Sequence, residues 1–257
     1  MFIDTHCHLD DPSLFDRLPE VIDNARLAGI DRFIIPGVGP HGWDKIASLA
    51  DAMIGIFPAF GLHPMHAELY NEGMLGDLAR YAEKAVALGE IGLDYLLANI
   101  PRERQLLAFR GQLRLAVDMR LPVLIHCRRA FRDLVQIMEE EQAERVGGIM
   151  HAFSGSPEIA RKCIQLGFAI SIAGPVTYCN AVKPLELVRC IPLGHIVLET
   201  DAPDMTPEPH RGMPNEPAYL VETAKKVAEL RGACLEEIAA VTTRTAEKLL
   251  RLDRQSI

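Results

Sequence analysis

The sequence predicts a parallel (β/α)8 barrel, the TIM-barrel class of α/β fold, and three observations carry that prediction. Short apolar runs recur eight times along 257 residues, at 2–8, 32–36, 54–60, 86–91, 121–126, 147–151, 168–172 and 195–200. Between them lie stretches with apolar residues at steps of three and four, such as Leu14, Leu18, Val21, Ala25 and Ala28, or Phe109, Leu113, Ala116 and Val117, so each strand is given a crossover helix. Imidazoles and carboxylates stand where several of these runs finish, the end at which a barrel builds its site. Eight such units fit a closed barrel better than an open doubly wound sheet, and residues 1–257 read as one domain.

Beyond the eighth strand the reading is less regular. Residues 202–217 hold five prolines, a segment suited to a wall or lid over the strand ends. From Pro217 the chain turns helical, with Leu220, Ala224 and Val227 on one face. Leu235, Ile238, Leu249 and Leu250 follow in what reads as shorter amphipathic pieces, expected to pack outside the barrel.

Hydrophobic residues make up 49% of the chain and charged ones 24%, values of an ordinary globular protein that exclude a mostly disordered or collagen-like chain. No apolar run has the length of a membrane span. The first ten residues lack the basic-then-apolar layout of a secretory signal, which gives the expectation of a cytoplasmic address. Six cysteines without CxxC spacing agree with it, as reduced thiols. With 27 Lys and Arg against 35 Asp and Glu, the net charge is −8, so any contact with nucleic acid is local. No feature points to an obligate protein partner or to a membrane.

Gly37, Gly39 and Gly42 satisfy GxGxxG after a strand. Pro40 lies inside that turn, however, and Phe57-Pro58-Ala59-Phe60-Gly61 occupies the region where a ribose-binding acid belongs, so the glycines read as an ordinary turn.

The chemistry begins at Asp4-Thr5-His6-Cys7-His8. Alternation along a strand puts Asp4, His6 and His8 on one face, so two imidazoles can grip one cation, and turns Cys7 away, as it does Cys127 beside His126. Glu90, His126, His151 and Asp201 close other predicted strands. Each alone is more often a hydrogen-bonded core residue or a loop cap; six at the same end of successive strands are a site. Four imidazoles and two carboxylates exceed the needs of one tetrahedral metal and suit two divalent cations sharing a carboxylate. The mixed nitrogen and oxygen set admits Mg²⁺, Mn²⁺ or Zn²⁺. Asp4 and Glu199, two residues before His6 and Asp201, read as partners that orient a ligand or water. Asp94 reads equally as a cap of the segment that follows it.

Five blocks in order, Asp4-Thr5-His6-Cys7-His8-Leu9, Gly89-Glu90-Ile91-Gly92-Leu93-Asp94, Pro122 to His126 with Arg128, His151-Ala152-Phe153-Ser154-Gly155 and Glu199-Thr200-Asp201-Ala202-Pro203, make the chain resemble the TatD-type metal-dependent hydrolases over nearly its whole length. The resemblance implies an amidohydrolase-type barrel with His6 and His8 on one metal, His126 and His151 on the other, Glu90 bridging and Asp201 near the first metal. It implies Asp201 and Glu90 as catalytic groups, and His63, Arg128 and Arg211 as substrate contacts. It also implies a deoxyribonuclease activity on phosphodiester bonds, with DNA ends or a small phosphoester as substrate and single-stranded ends the expected form. Met213-Pro214 and Leu96-Leu97-Ala98-Asn99 depart from the family's pattern at the mouth, where substrate is chosen. Two other readings stand beside it: hydrolysis of a small-molecule ester, amide or lactone by the same metals, and a noncatalytic binding barrel.

Overall fold

The computed structural model describes residues 1–252. Its eight strands are β1 (Phe2–Asp4), β2 (Ile30–Pro36), β3 (Ile56–Phe60), β4 (Ala87–Asp94), β5 (Val123–Arg128), β6 (Gly148–Met150), β7 (Phe168–Ile172) and β8 (Ile196–Leu198). They pair in chain order, each parallel to the next. The seam between β8 and β1 is closed by Thr5 N–H on Leu198 O at 3.1 Å, Asp201 N–H on His6 O at 2.9 Å and His8 N–H on Ala202 O at 2.8 Å. The helices are α1 (Pro12–Phe15), α2 (Leu18–Leu27), α3 (Pro40–Ala52), α4 (Glu72–Ala82), α5 (Arg102–Met119), α6 (Phe131–Glu140), α7 (Pro157–Gln165), α8 (Lys183–Cys190), α9 (Leu220–Arg231) and α10 (Leu235–Leu250). No described helix is long and apolar enough to cross a membrane.

Alternation along the strands separates two apolar layers. Phe33, Ile35, Leu88, Ile91, Ile125, Met150, Ile170 and Leu198 face outward into the layer shared with the helices. Ile3, Ile34, Ala59, Leu124, Ile149, Ala169 and Val197 face inward and fill the lower barrel. The same alternation then lifts Leu124 to His126, Ile149 to His151, and Val197 to Glu199 and Asp201, which is how an apolar floor comes to carry a polar upper layer.

The tail differs from its expected course. α10 is one helix of 16 residues, and Ala246, Leu250 and the following Leu252 pack into the inner cluster, so its end closes the base of the barrel. A barrel floor of small side chains such as Ala59 and Ala169 leaves apolar surface open below, and the tail covers it.

β1 also stops earlier than its apolar run suggests. In one uninterrupted parallel strand, residues of like parity bond to the same neighbour. Here Thr5 N–H reaches Leu198 in β8 whereas Cys7 N–H reaches Ile34 in β2 at 3.1 Å, so the phase slips by one after Asp4. The expected common face for Asp4, His6 and His8 is therefore corrected. β4 runs on to Asp94, past the expected end at residue 91, so Glu90 lies within the strand, at a register shift between Leu88 and Ile91.

Candidate metal centre

Glu90 is the hub of the upper layer. Its Oε1 accepts from His126 Nδ1 at 2.9 Å and lies 3.7 Å from His151 Nε2 and 3.8 Å from His63 Nε2, while its Oε2 lies 3.4 Å from His6 Nε2. Burial alone would raise this carboxyl, yet the facing His6, His151 and His63 rings and the His126 hydrogen bond hold it well below the ordinary carboxylate range. Two glycines make room for it. A Cβ on Gly61 would stand 2.7 Å from Gly89 C and 2.8 Å from Glu90 O, and Gly92, at φ +148°, would put a Cβ 1.9 Å from His126 O.

Asp201 is the second carboxylate. Its Oδ1 lies 3.8 Å from His6 Nε2, 3.7 Å from His8 Nε2 and 3.6 Å from His151 Nε2. Burial would raise it too, but the facing His151, His8 and His6 rings bring it below its usual value. Those carboxylates act back on the rings. His8 is depressed by burial but lifted more by Asp201, to about 8; His151 likewise is lifted by Glu199, Asp201 and Glu90 to about 10. His6, stacked on His151 with ring centroids 3.5 Å apart, is instead lowered by burial and by that neighbour.

His6, His8, Glu90, His126, His151 and Asp201, drawn from distant parts of the sequence, thus stand together, all but the buried His6 lining one cavity. His63 joins them. Three groupings place one donor atom per residue within 4.8 Å of one another: His6, His8 and Glu90; His63, Glu90 and His126; and His6, His151 and Glu199. Two of the three share Glu90. Both ring nitrogens of His6 are buried without a hydrogen-bond partner, a costly state for an imidazole unless a cation takes one lone pair. The donors therefore fit divalent metal: imidazoles that a cation would hold neutral, ionised carboxylates and an orphaned nitrogen converge at the separations a cation would bridge.

The partners behind the rings differ from one another. Glu199, fully buried, sets Oε1 3.0 Å from His151 Nδ1 and accepts the Ala152 N–H at 2.6 Å. Asp94 Oδ2 lies 3.4 Å from His126 Nε2, on the side of the ring away from Glu90, so its role extends beyond capping Leu96. Asp4 meets no imidazole ring. After the phase slip its carboxylate accepts from Thr200 N at 3.0 Å and Thr200 Oγ1 at 2.5 Å, and from the His6 backbone N–H at 3.3 Å. It thereby ties β1 to the backbone that carries Asp201, and burial pushes it up to about 7 despite those hydrogen bonds.

The cavity above Glu90 measures about 590 Å³ and is walled by Val38, Met65, Leu97 and Met205 as well as by His63 and Arg128. His63 Nδ1 accepts the Met65 N–H at 3.1 Å, and burial lowers the ring to about 4, so the neutral ring carries its proton on Nε2, toward Glu90. Arg128 is exposed at the rim. Arg211 stands apart from this wall. Its guanidinium stacks 4.3 Å from the Tyr178 ring centroid and pairs with Glu208 at 3.7 Å, an arrangement set by the proline-rich loop and invisible in residue order. That loop does supply wall residues, Asp204 and Met205, and is pinned by Asn215 Nδ2 donating to Thr200 O at 2.8 Å and Asp204 O at 2.7 Å. Cys127 also touches the cavity, contrary to simple alternation, but burial raises its thiol far above neutrality, which disfavours a thiolate ligand.

Two residues absent from the sequence reading are Gln105 and Gln112, both buried on α5. Polar amides seven apart on a face otherwise made of Ala108, Phe109, Leu113, Ala116 and Val117 are the signal that would have found them.

Sequence comparison places this geometry among known proteins. The profile of the family described as "TatD related DNase" matches residues 3–251. An "Uncharacterized metal-dependent hydrolase YabD" of Bacillus subtilis is 41% identical over 98% of this chain and 100% of its own length. A "3'-5' ssDNA/RNA exonuclease TatD" of Pantoea vagans is 34% identical over 91% of this chain and 93% of its own. The crystal structure of YjjV, a TatD homologue from Escherichia coli K12, superposes with a TM-score of 0.91 at 34% identity, covering 96% of this chain and 97% of that one. The fold, the gathered donors and these relatives agree, and the chain belongs to the TatD-related family as one of its metal-dependent hydrolases.

Proposed function

We propose that the protein hydrolyses phosphodiester bonds at the ends of single-stranded nucleic acid, as a deoxyribonuclease whose His6, His8, Glu90, His126, His151 and Asp201 hold two divalent cations. The observation that carries this reading is the seating of Glu90 among four imidazoles at the bottom of a cavity of about 590 Å³ with one arginine at its rim. A pocket of that size takes a chain terminus more readily than a duplex interior. The naming of the Pantoea vagans relative as a single-strand exonuclease supports the same substrate.

Divalent cations at such a site lower the pKa of water and neutralise charge on phosphoryl oxygens. The chain's own groups supply the rest. Asp201, kept ionised by His151 and His8, accepts a proton from the attacking water and returns it to the departing oxygen. His63, neutral and with its proton on Nε2, donates a hydrogen bond to a phosphoryl oxygen. Arg128 clamps the same phosphate from the rim with its planar fork.

One observation favours a second reading. The walls Val38, Met65, Leu97 and Met205 are apolar, which suits a small ester, amide or lactone as well as a base. Terminally labelled single-stranded oligonucleotides and a panel of carbonyl esters and lactones, given to metal-stripped protein and then to protein restored with Mg²⁺, Mn²⁺ or Zn²⁺, separate the two. Metal-dependent release of mononucleotides is the expected result. Turnover of the carbonyl panel alone overturns the nuclease assignment, and inactivity on both with no metal uptake leaves the binding barrel.

A further inference from the structure

Gln105 and Gln112 lie on one inward face of α5, seven residues or about 10.5 Å apart along the helix. Both are buried, 1% and 0% exposed, where an apolar side chain would pack without the cost of desolvating an amide. Each spends that amide in the same way. Gln105 Oε1 accepts the Asp94 N–H at 2.8 Å, while its Nε2 donates to Asp94 O at 2.9 Å and Ile100 O at 3.3 Å. Gln112 Oε1 accepts the Leu62 N–H at 2.7 Å, while its Nε2 donates to Leu62 O at 3.1 Å and Ala108 O at 3.1 Å. Each glutamine therefore exchanges a donor and an acceptor with both backbone groups of a single residue, as a neighbouring strand would.

The two residues so held flank the site. Asp94 is the last residue of β4, and its carboxylate stands behind the His126 ring, whose other nitrogen meets Glu90. Leu62 directly precedes His63, whose own N–H is bonded to Val38 O at 3.0 Å and whose ring faces the same Glu90 oxygen, Oε1, that His126 meets. The His63 and His126 ring centroids are 4.5 Å apart, so a small shift of either backbone alters the gap between them.

We propose that Gln105 and Gln112 are positioning residues, a rigid two-point gauge on α5 that fixes the spacing of His126 and His63 around Glu90. Gln105 acts through Asp94 on His126, the reading of which as a metal ligand this part rests on. Gln112 acts through Leu62 on His63 and so on the substrate. Satisfying two strand-end backbones for stability alone would load neither ring, and that difference is measurable.

The test uses the full chain, with Gln105→Met, Gln112→Met and, as a control for lost packing on the same helix, Leu113→Ala. Zn²⁺ titrated into metal-stripped protein reads the first effect, and KM against kcat for bis(4-nitrophenyl) phosphate reads the second. Gln105→Met is expected to weaken Zn²⁺ binding about 10-fold, at the lower end for groups behind a ligand. Gln112→Met is expected to raise KM about 10-fold with Zn²⁺ affinity unchanged. Leu113→Ala lowers Tm while leaving both within twofold. Glutamate variants, Gln105→Glu and Gln112→Glu, whose buried carboxyls are held protonated and so keep the acceptor and one of the two donors, give the same changes in weaker form should a methionine variant not fold. Ring ¹⁵N shifts of His63 and His126 in the metal-free protein move with the glutamine variants whether or not metal binds, which separates failure of this inference from failure of the proposed function. Glutamine variants that match Leu113→Ala in every readout overturn it.

Discussion

Glu199 Oε1 lies 3.0 Å from His151 Nδ1, on the side of the ring opposite Asp201, whose Oδ1 faces His151 Nε2 at 3.6 Å. A buried carboxylate at Nδ1 favours a proton there and turns the Nε2 lone pair toward the cavity. Glu199 Oε1 accepts the Ala152 N–H, so the oxygen that sets the charge beside Nδ1 also fixes the backbone next to the ring.

Removing that support is expected to show first in metal affinity. Glu199→Ala should weaken Zn²⁺ or Mn²⁺ binding by about 10–100-fold, the usual cost for a group behind a ligating histidine. Glu199→Gln, which keeps an acceptor for the Ala152 N–H and loses the charge, should fall between the alanine variant and the native protein. Calorimetric titration of metal-stripped protein reads both, and an unaltered isotherm for Glu199→Ala would remove Glu199 from the site.

The raised imidazoles make metal uptake a proton-releasing event. At pH 7 the metal-free protein holds His8, at about 8, and His151, at about 10, in their charged forms, yet a ligating imidazole must be neutral. Apparent affinity should therefore rise with pH, steeply below about 8 and more gently from there to about 10. The sign for metal-free stability is opposite. A folded-state value above the unfolded one of about 6.5 means that the His151 contribution is complete below that pH and is lost as pH climbs through about 10. Titrations in buffers of different ionisation heats count the released protons. An affinity independent of pH between 6 and 8 would contradict the charged state of both rings.

How much of this was legible in residue order follows from what kind of pattern each residue belongs to. The His6-x-His8 pair and the groups placed near strand ends, His126, His151 and Asp201, are visible because a parallel barrel turns strand order into spatial convergence. Residue order has Glu90 close a strand that in fact continues to Asp94, since the glycines Gly89 and Gly92 hide the continuation from a hydrophobicity count. The phase slip after Asp4 is a hydrogen-bonding event between three strands, and no periodicity within one strand records it. Motif position puts Arg211 in the site, whereas its direction depends on Tyr178, 33 residues earlier with α8 and β8 between them. The gauge of Gln105 and Gln112 lay in plain view as an interruption of an apolar helix face, but its targets, Asp94 and Leu62, become apparent in three dimensions alone.

The two arginines assigned to substrate give the last expectation, because the structure treats them differently. Arg128 sits at the cavity rim, paired in register with Asp94 across β4 and β5, whereas Arg211 is engaged with Tyr178 and Glu208. A charge-assisted hydrogen bond to phosphate is worth about 1.5–3 kcal/mol, which corresponds to a loss of roughly 10–150-fold in kcat/KM when it is removed. Arg128→Ala should show that loss on a phosphodiester, carried mostly by KM, and change turnover of an uncharged carbonyl ester less than about twofold. Arg128→Lys should recover part of it, since a lysine keeps the charge and forfeits the bidentate geometry. Arg211→Ala should leave kcat/KM on both substrates unchanged. Equal losses for Arg128→Ala on charged and uncharged substrates would show that the arginine supports the fold of the rim, and a large loss for Arg211→Ala would show that the proline-rich loop turns inward when substrate is bound.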